Sequence, residues 1–267
     1  MAKPDEMGLT PEAAKGYEEF FVPAIFNQWP PVMMKAAAVA EGQDILDVGC
    51  GTGVLTRELA QRVRRSGSVT GFDLSQSMLD VAKVRCPEAT FKQGDVMKMP
   101  FGDRRFHVVI SAFMLMFVPD PVKALREMRR VLKVDGCLVV SVWEGLENNV
   151  VYRSLVEATQ EVLGSDSAKS MAWPFTMGEE GRLKSIFESA GMADVATSHH
   201  LGNAHFPSVD DFVATEIQAW LLADSTDQRE IDEIVRLLRT RYPPFENAAG
   251  EVSFPLNALI GRVNAFE

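Results

Sequence analysis

The segment Asp47-Val48-Gly49-Cys50-Gly51-Thr52-Gly53 restricts the fold of this chain more than any other. It follows the apolar pair Ile45-Leu46 and leads into a helical pattern that begins at Val54. Glycines allow a tight turn and let the backbone come close to a ligand, where a Cβ atom would collide. The free N–H groups of the first helical turn then face that ligand. A strand, a glycine turn and a helix in this order predict a cradle for an adenosine cofactor.

Strand and helix patterns alternate through the middle of the chain. The predicted strands are short and apolar almost throughout, which is typical of strands buried on both faces of a sheet. This alternation predicts an α/β fold with a doubly wound, parallel sheet and right-handed crossovers. The strands are predicted near Asp44–Val48, Ser68–Asp73, Ala89–Gly94, Phe106–Ser111 and Gly136–Trp143, and the helices near Val54–Arg64, Gln76–Arg85, Pro121–Leu132 and Asn148–Leu163.

The two ends of the chain follow a different pattern. The first helix is predicted from Thr10, as N-cap, to Phe21, with a break at Pro23, and the second from Met33 to Ala40. The chain is expected to divide into an N-terminal helical cover (1–43), a core (44–206), a helical lid (207–248) and a final core strand (249–267). The late elements are predicted at Gly178–Ala190 (helix), Val195–Phe206 (strand, with a possible bend), Ser208–Leu222 and Asp227–Arg241 (lid helices), and Val252–Phe266 (strand).

Composition and charge narrow the class of partner. The chain has 267 residues, 46% of them hydrophobic, and a formal net charge of -10. An acidic chain of this kind disfavours a nucleic-acid partner, which usually meets a basic face. The apolar stretch Val108–Val118 is too short to span a bilayer, and the polar segment Met1–Thr10 predicts no signal peptide. Three scattered cysteines give neither a metal spacing nor a disulfide framework, so a cytoplasmic location and no metal are expected.

Two aspartates follow the glycine turn at strand ends. Asp73 lies 22 positions after Gly51, which places its carboxylate beside the turn, within reach of both ribose hydroxyls. Its alternative role is to cap the next helix, although Ser75 is the better cap. Asp95, after Gly94, could accept from an adenine amine, or it could simply be a turn residue. The N–H of Val96 could donate to the adenine ring, which Leu74 and Met78 are expected to sandwich.

The spacing of the glycines separates two cofactor classes. A dinucleotide site requires the pattern G-x-G-x-x-G, but Val54 occupies the position of the third glycine. Asp47 is also a poor neighbour for a pyrophosphate. A cofactor with a cationic centre and an ammonium group suits these residues better, and S-adenosylmethionine has both.

Together these residues resemble the class I S-adenosylmethionine-dependent methyltransferases, and in particular the small-molecule group that includes the ubiquinone and menaquinone biosynthesis methyltransferases. The resemblance implies a Rossmann-like, mostly parallel seven-stranded sheet and methyl transfer to a small, hydrophobic or aromatic metabolite. The segments that carry it are Ile45–Thr56, Asp73, Gly94-Asp95 and Leu125–Gly136, with Tyr17–Phe20, Val22–Phe26, Trp29 and Phe206–Phe212 in the flanking regions.

The acceptor and the base are less well defined. Beyond Ser111, the segment after the fourth predicted strand is apolar and lacks the histidines of many relatives, so His205 is the candidate catalytic base. An O, N, C or S acceptor, an NAD(P)-dependent oxidoreductase, a non-catalytic cofactor-binding scaffold, and a monomer or homodimer all remain open. The predicted cofactor contacts are Tyr17, Asp47, Gly49, Cys50, Gly51, Asp73, Leu74, Met78, Gly94, Asp95, Val96 and Ser111, and the predicted acceptor contacts are Phe26, Trp29, Met114 and Trp143.

Overall fold

The computed structural model describes residues 10–179, 181–219, 226–241 and 246–264. The described strands are Asp44–Val48 (β1), Ser68–Asp73 (β2), Thr90–Gln93 (β3), Phe106–Ala112 (β4), Leu132–Trp143 (β5), Ala196–His200 (β6), Asn203–Phe206 (β7), Val252–Pro255 (β8) and Ala258–Asn264 (β9). The described α-helices are Pro11–Gly16 (α1), Trp29–Ala36 (α2), Val54–Val63 (α3), Gln76–Arg85 (α4), Pro121–Val131 (α5), Val150–Leu163 (α6), Ser165–Ala172 (α7), Arg182–Ser189 (α8), Val209–Ala219 (α9) and Gln228–Arg241 (α10).

A seven-stranded sheet with the order β3-β2-β1-β4-β5-β9-β6 forms the centre of the molecule. The first five strands are parallel, whereas β9 runs antiparallel between β5 and β6. The predicted doubly wound, mostly parallel sheet is therefore confirmed. In this register Asp47 lies opposite Gly71 of β2 and Ile110 of β4. The carboxyl ends of these three strands thus meet at one edge, where ligands bind in open α/β sheets.

Apolar side chains cover both faces of the sheet. On one face, Met33 of α2 and Leu59 of α3 pack against Ile45 and Val108. The other face belongs to a larger buried cluster that includes Leu125 of α5 and extends to the helices after β5. Burial on both faces explains why the central strands lack the alternating polar residues of a half-exposed sheet.

The N-terminal helices differ from the prediction. Thr10 caps α1 as expected, accepting from the N–H of Ala13 at 3.2 Å. The expected break at Pro23 is wrong, because a π-helix spans Tyr17–Phe26 and continues through it. The hydrogen bond between residues five apart that defines a π-helix occurs at its end, where the N–H of Asn27 donates to the carbonyl of Val22. A π segment already departs from the i−4 ladder that a proline interrupts, so the ring is accommodated. The second helix, α2, also begins and ends four residues earlier than the predicted Met33–Ala40.

The late strands also correct the prediction. The single strand expected over Val195–Phe206 is two strands, of which β6 joins the large sheet and β7 pairs with β8 in a separate two-stranded sheet. The strand expected over Val252–Phe266 divides in the same way, into β8 and β9. The bend between β6 and β7 contains Gly202, where a Cβ atom would collide with the ring of Trp29.

The predicted lid helices correspond to α9 and α10, while α7 and the 3-10 turn at Trp173–Gly178 have no counterpart in the prediction. The predicted ends at Leu222 and Phe266 lie outside the described residues. Within the described part of the chain, no helix has both the length and the hydropathy that a membrane span requires.

Candidate active site

The glycine turn connects β1 to α3, and its three glycines adopt the left-handed backbone conformation. Gly49, Gly51 and Gly53 have φ angles of 70°, 52° and 85°, which glycine adopts without the Cβ strain of other residues. The N–H groups of Gly49 and Cys50 donate to the carbonyl of Phe72 at 2.7 and 3.2 Å. The turn is therefore fixed to the end of β2 and leaves an open cradle on its outer side.

Asp73 lies beside this turn, as its spacing predicts. Its two carboxylate oxygens accept from the N–H groups of Gly51 at 2.8 Å and Ser75 at 2.9 Å. Ser75 itself caps α4 by accepting from the N–H of Met78 at 3.3 Å. Burial raises the pKa of the Asp73 carboxyl, although the backbone hydrogen bonds oppose that shift. Because Ser75 supplies the cap of α4, the helix does not require Asp73 as its N-cap, and the Asp73 carboxylate is held beside the glycine turn.

Asp47 is the second carboxylate of the cradle. Its side chain is buried at the end of β1 and accepts from the Thr56 hydroxyl at 2.6 Å. Burial, opposed by the Thr56 hydrogen bond and reinforced by the charge of Asp73, raises the pKa of Asp47 to about 7. Two interacting carboxylates beside the same glycine turn attract a cationic ligand and repel a pyrophosphate.

The predicted adenine contacts follow β2 and β3. Leu74 is 44% exposed although it is apolar, and Met78 is buried beneath the same edge. Asp95 accepts from the N–H of Met97 at 2.8 Å, and Gly94 donates to the carbonyl of Asp73 at 3.0 Å. These residues form an apolar surface with a carboxylate beside it, a combination that suits a purine ring.

Unpartnered polar atoms mark the same region. Thr52 Oγ1, Ser111 Oγ and Trp29 Nε1 are buried and have no hydrogen-bond partner within the described structure. Buried polar groups normally have partners, and two of these residues, Thr52 and Trp29, are among those that line the cavity beside the glycine turn. The two carboxylates fit the hydroxyl, ammonium and sulfonium groups of S-adenosylmethionine, and the unpartnered Thr52 hydroxyl fits an acceptor such as its carboxylate.

The π-helix closes over the cradle. The ring of Tyr17 lies 4.0 Å from the position that a Cβ of Gly51 would take, and stacks on Phe26 with centroids 5.3 Å apart. Burial raises the pKa of the Tyr17 hydroxyl. The carboxylate of Glu18 joins this cover to the core through Arg57 at 3.1 Å and Arg85 at 3.3 Å. A cavity of about 40 Å³ remains between the cover and the turn, which is room for only a few water molecules.

Four rings form what we call the aromatic cluster: Phe26, Trp29, Phe113 and Trp143. Phe113 stacks on Trp143 with centroids 3.8 Å apart, and Trp29 meets Phe113 edge-on at 5.2 Å. Phe113 has a φ of 55°, an unusual backbone for a bulky residue, and this places its ring against the cover. Beside it, Met114 packs so closely on Gly49 that a Cβ there would overlap it. Of the four predicted acceptor residues, Phe26 and Trp29 line the cavity and Met114 contacts Gly49, whereas Trp143 contacts the other rings of the cluster and does not line the cavity.

The histidines are placed differently from the prediction. His205 lies exposed on β7, opposite Ser253 of β8, and is not among the residues that line the cavity. Its catalytic role stays a prediction that its position does not favour. His199 instead pairs with the buried carboxylate of Glu144, with 2.9 Å between Nδ1 and Oε1. The pairing depends on strand register across β5, β9 and β6, which no local signal encodes.

No group of three or more His, Cys, Asp or Glu within the described residues could hold a metal ion. The three cysteines are free and buried. Burial raises the pKa of the Cys50 thiol well above its ordinary value, so this residue of the glycine turn stays a neutral thiol.

Comparison with known proteins agrees with this geometry. Residues 45–136 match the family model of a methyltransferase domain. The chain is 35% identical over 187 residues to demethylmenaquinone methyltransferase from Staphylococcus aureus, covering 65% of this chain and 78% of that protein. It is 44% identical over 116 residues to the enzyme of that name from Lactobacillus johnsonii, covering 41% of this chain and about half of the relative's length, 48%.

A solved structure gives the same fold. Phosphoethanolamine N-methyltransferase 2 from Haemonchus contortus, in complex with phosphomonomethylethanolamine and S-adenosylhomocysteine, superposes with a TM-score of 0.62. The two chains are 18% identical, and the match covers 98% of this chain and 59% of that one. At this identity the likeness concerns the fold alone, but the matches in sequence go further and exclude the oxidoreductase alternative. The chain belongs to the class I S-adenosylmethionine-dependent methyltransferases, the type that includes the demethylmenaquinone methyltransferases.

Proposed function

We propose that this protein transfers a methyl group from S-adenosylmethionine to a small, apolar, aromatic acceptor. The observation that carries the proposal is the aromatic cluster. Its rings Phe26, Trp29 and Phe113 line the same cavity as the glycine turn, and its fourth ring, Trp143, stacks on Phe113. Flat apolar walls stabilise a flat apolar molecule by burial and ring stacking. The demethylmenaquinone methyltransferases among the relatives favour a naphthoquinol-type acceptor.

S-adenosylmethionine, when bound, supplies a methyl group on a positively charged sulfur. We propose that Asp47 holds the cationic part of the cofactor and that Asp73 accepts from the ribose hydroxyls. Asp95 and the N–H of Val96 would recognise the adenine edge, and Leu74 would cover the ring. These contacts fix the direction of the methyl group, and alignment of this kind contributes much of the rate in a displacement reaction.

The aromatic cluster and Tyr17 exclude water and set the acceptor in line with the methyl group. Their ring faces also stabilise nearby positive charge through cation–π attraction. The cavity-lining residues within the described structure include no histidine, and Asp47 is their only carboxylate. We therefore expect acceptors whose own hydroxyl ionises readily, so that the proton leaves to solvent or buffer and needs no positioned base. The absence of a disulfide framework supports a cytoplasmic setting for this reaction.

Two measurements test the proposal. Isothermal titration should detect binding of both S-adenosylmethionine and S-adenosylhomocysteine, and a lack of heat from both would refute the cofactor half. A panel of quinols, phenols, amines and thiols, assayed for methyl transfer, should show turnover of the quinols and phenols. Turnover of the amines alone would refute the acceptor half and leave the cofactor half intact.

A further inference from the structure

A second and much larger cleft lies at the edge of the sheet opposite the glycine turn. It measures about 580 Å³, against about 40 Å³ for the cavity beneath the cover. Its walls are the loop before β4, the second half of α5, the start of β5, the segment after α8 and the end of β9. Because β9 runs antiparallel to β5, these strand ends all lie at the amino edge of the parallel strands. The cleft is therefore separate from the cofactor cradle, which lies at the carboxyl edge.

Basic side chains dominate the lining of this cleft. Among the described residues that line it, one is a carboxylate, Asp103, although the chain as a whole has a net charge of -10. Buried apolar side chains, among them Leu132, Leu138 and Met192, complete the lining. A concave region that gathers charge of one sign focuses the field and attracts a ligand of the opposite sign. The five basic residues of the lining are Arg104, Arg126, Arg129, Arg130 and Lys133.

Two of these five residues are paired with carboxylates of the protein. Arg130 contacts both Asp103 and Glu127, with nitrogen–oxygen distances of 2.7 Å. Lys133 Nζ lies 3.3 Å from a carboxylate oxygen of Asp44. These ion pairs hold the wall of the cleft in place and leave the other basic residues to account for its charge.

Arg126 and Arg129 point their guanidinium groups at the end of α8. Arg126 donates to the carbonyl of Ser189 and Arg129 to the carbonyl of Gly191, both at 2.8 Å. Basic side chains commonly cap the last carbonyls of a helix in this way. A carbonyl fixes the position of a guanidinium group without neutralising it, so Arg126, which has no carboxylate partner within the described residues, keeps its full charge in the cleft.

Arg104 has no such structural explanation. Its side chain is exposed and makes no hydrogen bond or ion pair within the part of the chain that the structure describes. Its φ of 52° lies in the left-handed region, which is uncommon for a residue other than glycine. Its N–H donates to the carbonyl of Arg130 at 3.0 Å, which fixes the loop before β4 to the end of α5. The loop thus holds an unpaired guanidinium group at the cleft.

We propose that this cleft binds a small molecule that carries two or more phosphate groups, a class of ligand that the proposed methyl transfer does not use. Guanidinium groups match phosphate oxygens with paired N–H donors and stay charged at any physiological pH. Two adjacent phosphates bring enough negative charge to compensate both Arg104 and Arg126. The cleft is concave and its volume is that of a small-molecule site, which favours a soluble ligand over the surface of a membrane.

Titration calorimetry with inorganic pyrophosphate tests the site, at about 0.15 M salt so that attraction beyond the cleft is screened. We expect pyrophosphate to bind about tenfold more weakly to Arg104→Ala and to Arg126→Ala, because each loses hydrogen bonds between charged groups. Arg105→Ala is the matched control. It removes the same charge from the neighbouring exposed residue, which does not line the cleft, and should bind pyrophosphate like the wild type.

Thermal unfolding gives a second readout, since a ligand that binds only the folded state raises the midpoint. At a pyrophosphate concentration about 100 times the wild-type Kd, the midpoint should rise by several degrees in the wild type and in Arg105→Ala, and by about half as much in Arg104→Ala. The inference is overturned if pyrophosphate fails to bind the wild type, or if Arg104→Ala and Arg105→Ala weaken it equally. Binding to phosphatidylglycerol vesicles without binding of pyrophosphate would assign the cleft to a lipid surface and overturn it as well.

Discussion

At the scale of single residues, the site depends on carboxylates whose positions follow from local spacing. A strand–helix–strand unit returns the chain to the edge it left, so Asp73 comes back to Gly51 with a separation of 2.8 Å between Oδ2 and the amide nitrogen. No such rule brings Trp29 to Trp143 or Glu144 to His199. Those pairs depend on how the cover and the last strands pack, and packing is decided by many weak contacts far apart in sequence.

Replacing Asp73 tests its predicted contact with the ribose. In Asp73→Asn and Asp73→Ala we expect S-adenosylhomocysteine to bind about 10 to 100 times more weakly, because hydrogen bonds to a charged acceptor contribute roughly 1.5–3 kcal/mol. Titration calorimetry measures the change. Asp80→Asn, an exposed position on α4, should leave the affinity unaltered. An unchanged affinity in both Asp73 variants would remove this residue from the cofactor site.

The pH dependence of cofactor binding tests Asp47. With a pKa of about 7, this carboxyl is largely protonated in the free folded protein at pH 6 and ionised at pH 8. A cationic cofactor favours the ionised form, so binding below pH 7 must release a proton. We expect the affinity for S-adenosylmethionine to rise by about tenfold between pH 6 and pH 8.

Two variants distinguish Asp47 from the other titrating groups. The pKa of the neighbouring Asp73 is also raised, so its ionisation would change the affinity for the cofactor in the same direction. Asp47→Asn should remove most of the pH dependence. Asp44→Asn, at the other end of β1, should retain it, because hydrogen bonding from Ser68 keeps the pKa of Asp44 low. A flat profile in the wild type would show that Asp47 binds without its charge.

At the scale of elements, the N-terminal cover is the segment whose form the sequence least anticipates. Pro23 predicts a break, yet the π-helix carries the chain through it and places Tyr17 and Phe26 over the glycine turn. π segments within helices are rare and occur mainly at functional sites. The cavity beneath this cover measures only about 40 Å³, so we expect the cover to move when a cofactor binds. The contacts of Glu18 with Arg57 and Arg85 hold it in place.

Glu18→Ala tests that role. Without the carboxylate, we expect the cover to open more often. We expect S-adenosylhomocysteine to dissociate about threefold to tenfold faster, because losing the two ion pairs removes roughly 1 kcal/mol of stabilisation from the closed cover. Stopped-flow displacement measures the rate. Glu19→Ala, the neighbouring exposed carboxylate, is the control and should dissociate like the wild type. Equal rates in all three proteins would mean that other contacts hold the cover.

At the scale of the whole molecule, α9 is attached to α6 by a buried polar contact within aromatic packing. The Tyr152 hydroxyl on α6 donates to the carboxylate of Glu216 on α9 at 2.6 Å, and both side chains are buried. Phe212 and Phe254 surround Tyr152 with centroids 5.5 and 5.8 Å away. This contact joins α9 to α6, the helix that follows β5.

Tyr152→Phe tests how strongly that contact holds α9 against α6. Removing one hydroxyl leaves the buried Glu216 with one donor fewer, at a cost of about 1–3 kcal/mol. We expect the midpoint of thermal unfolding to fall by several degrees. Ser170→Ala removes an exposed hydroxyl that donates to the Asp166 carbonyl at 3.1 Å, and its midpoint should stay close to the wild type.

The sequence by itself determined the local part of this protein. Rules that act over one strand–helix–strand unit account for the glycine turn and for the positions of Asp47 and Asp73. The same rules account for which side chains lie at the carboxyl edge of the parallel strands. The class of cofactor followed from the same residues, because Val54 and Asp47 distinguish the turn from a dinucleotide site. The helices around the core were also predictable, since their apolar faces repeat with the helical period.

Only the tertiary structure decided the acceptor side. The insertion of β9 between β5 and β6, the separate β7–β8 sheet, and the meeting of Trp29, Phe113 and Trp143 each join segments that are distant in sequence. Strand register and ring packing depend on the sum of many contacts across the fold, and no single residue pattern records that sum. For this reason the sequence could name candidate residues for both ligands, whereas the packing of Trp29 and Trp143 around Phe113, which the sequence did not single out, emerged only from the folded molecule.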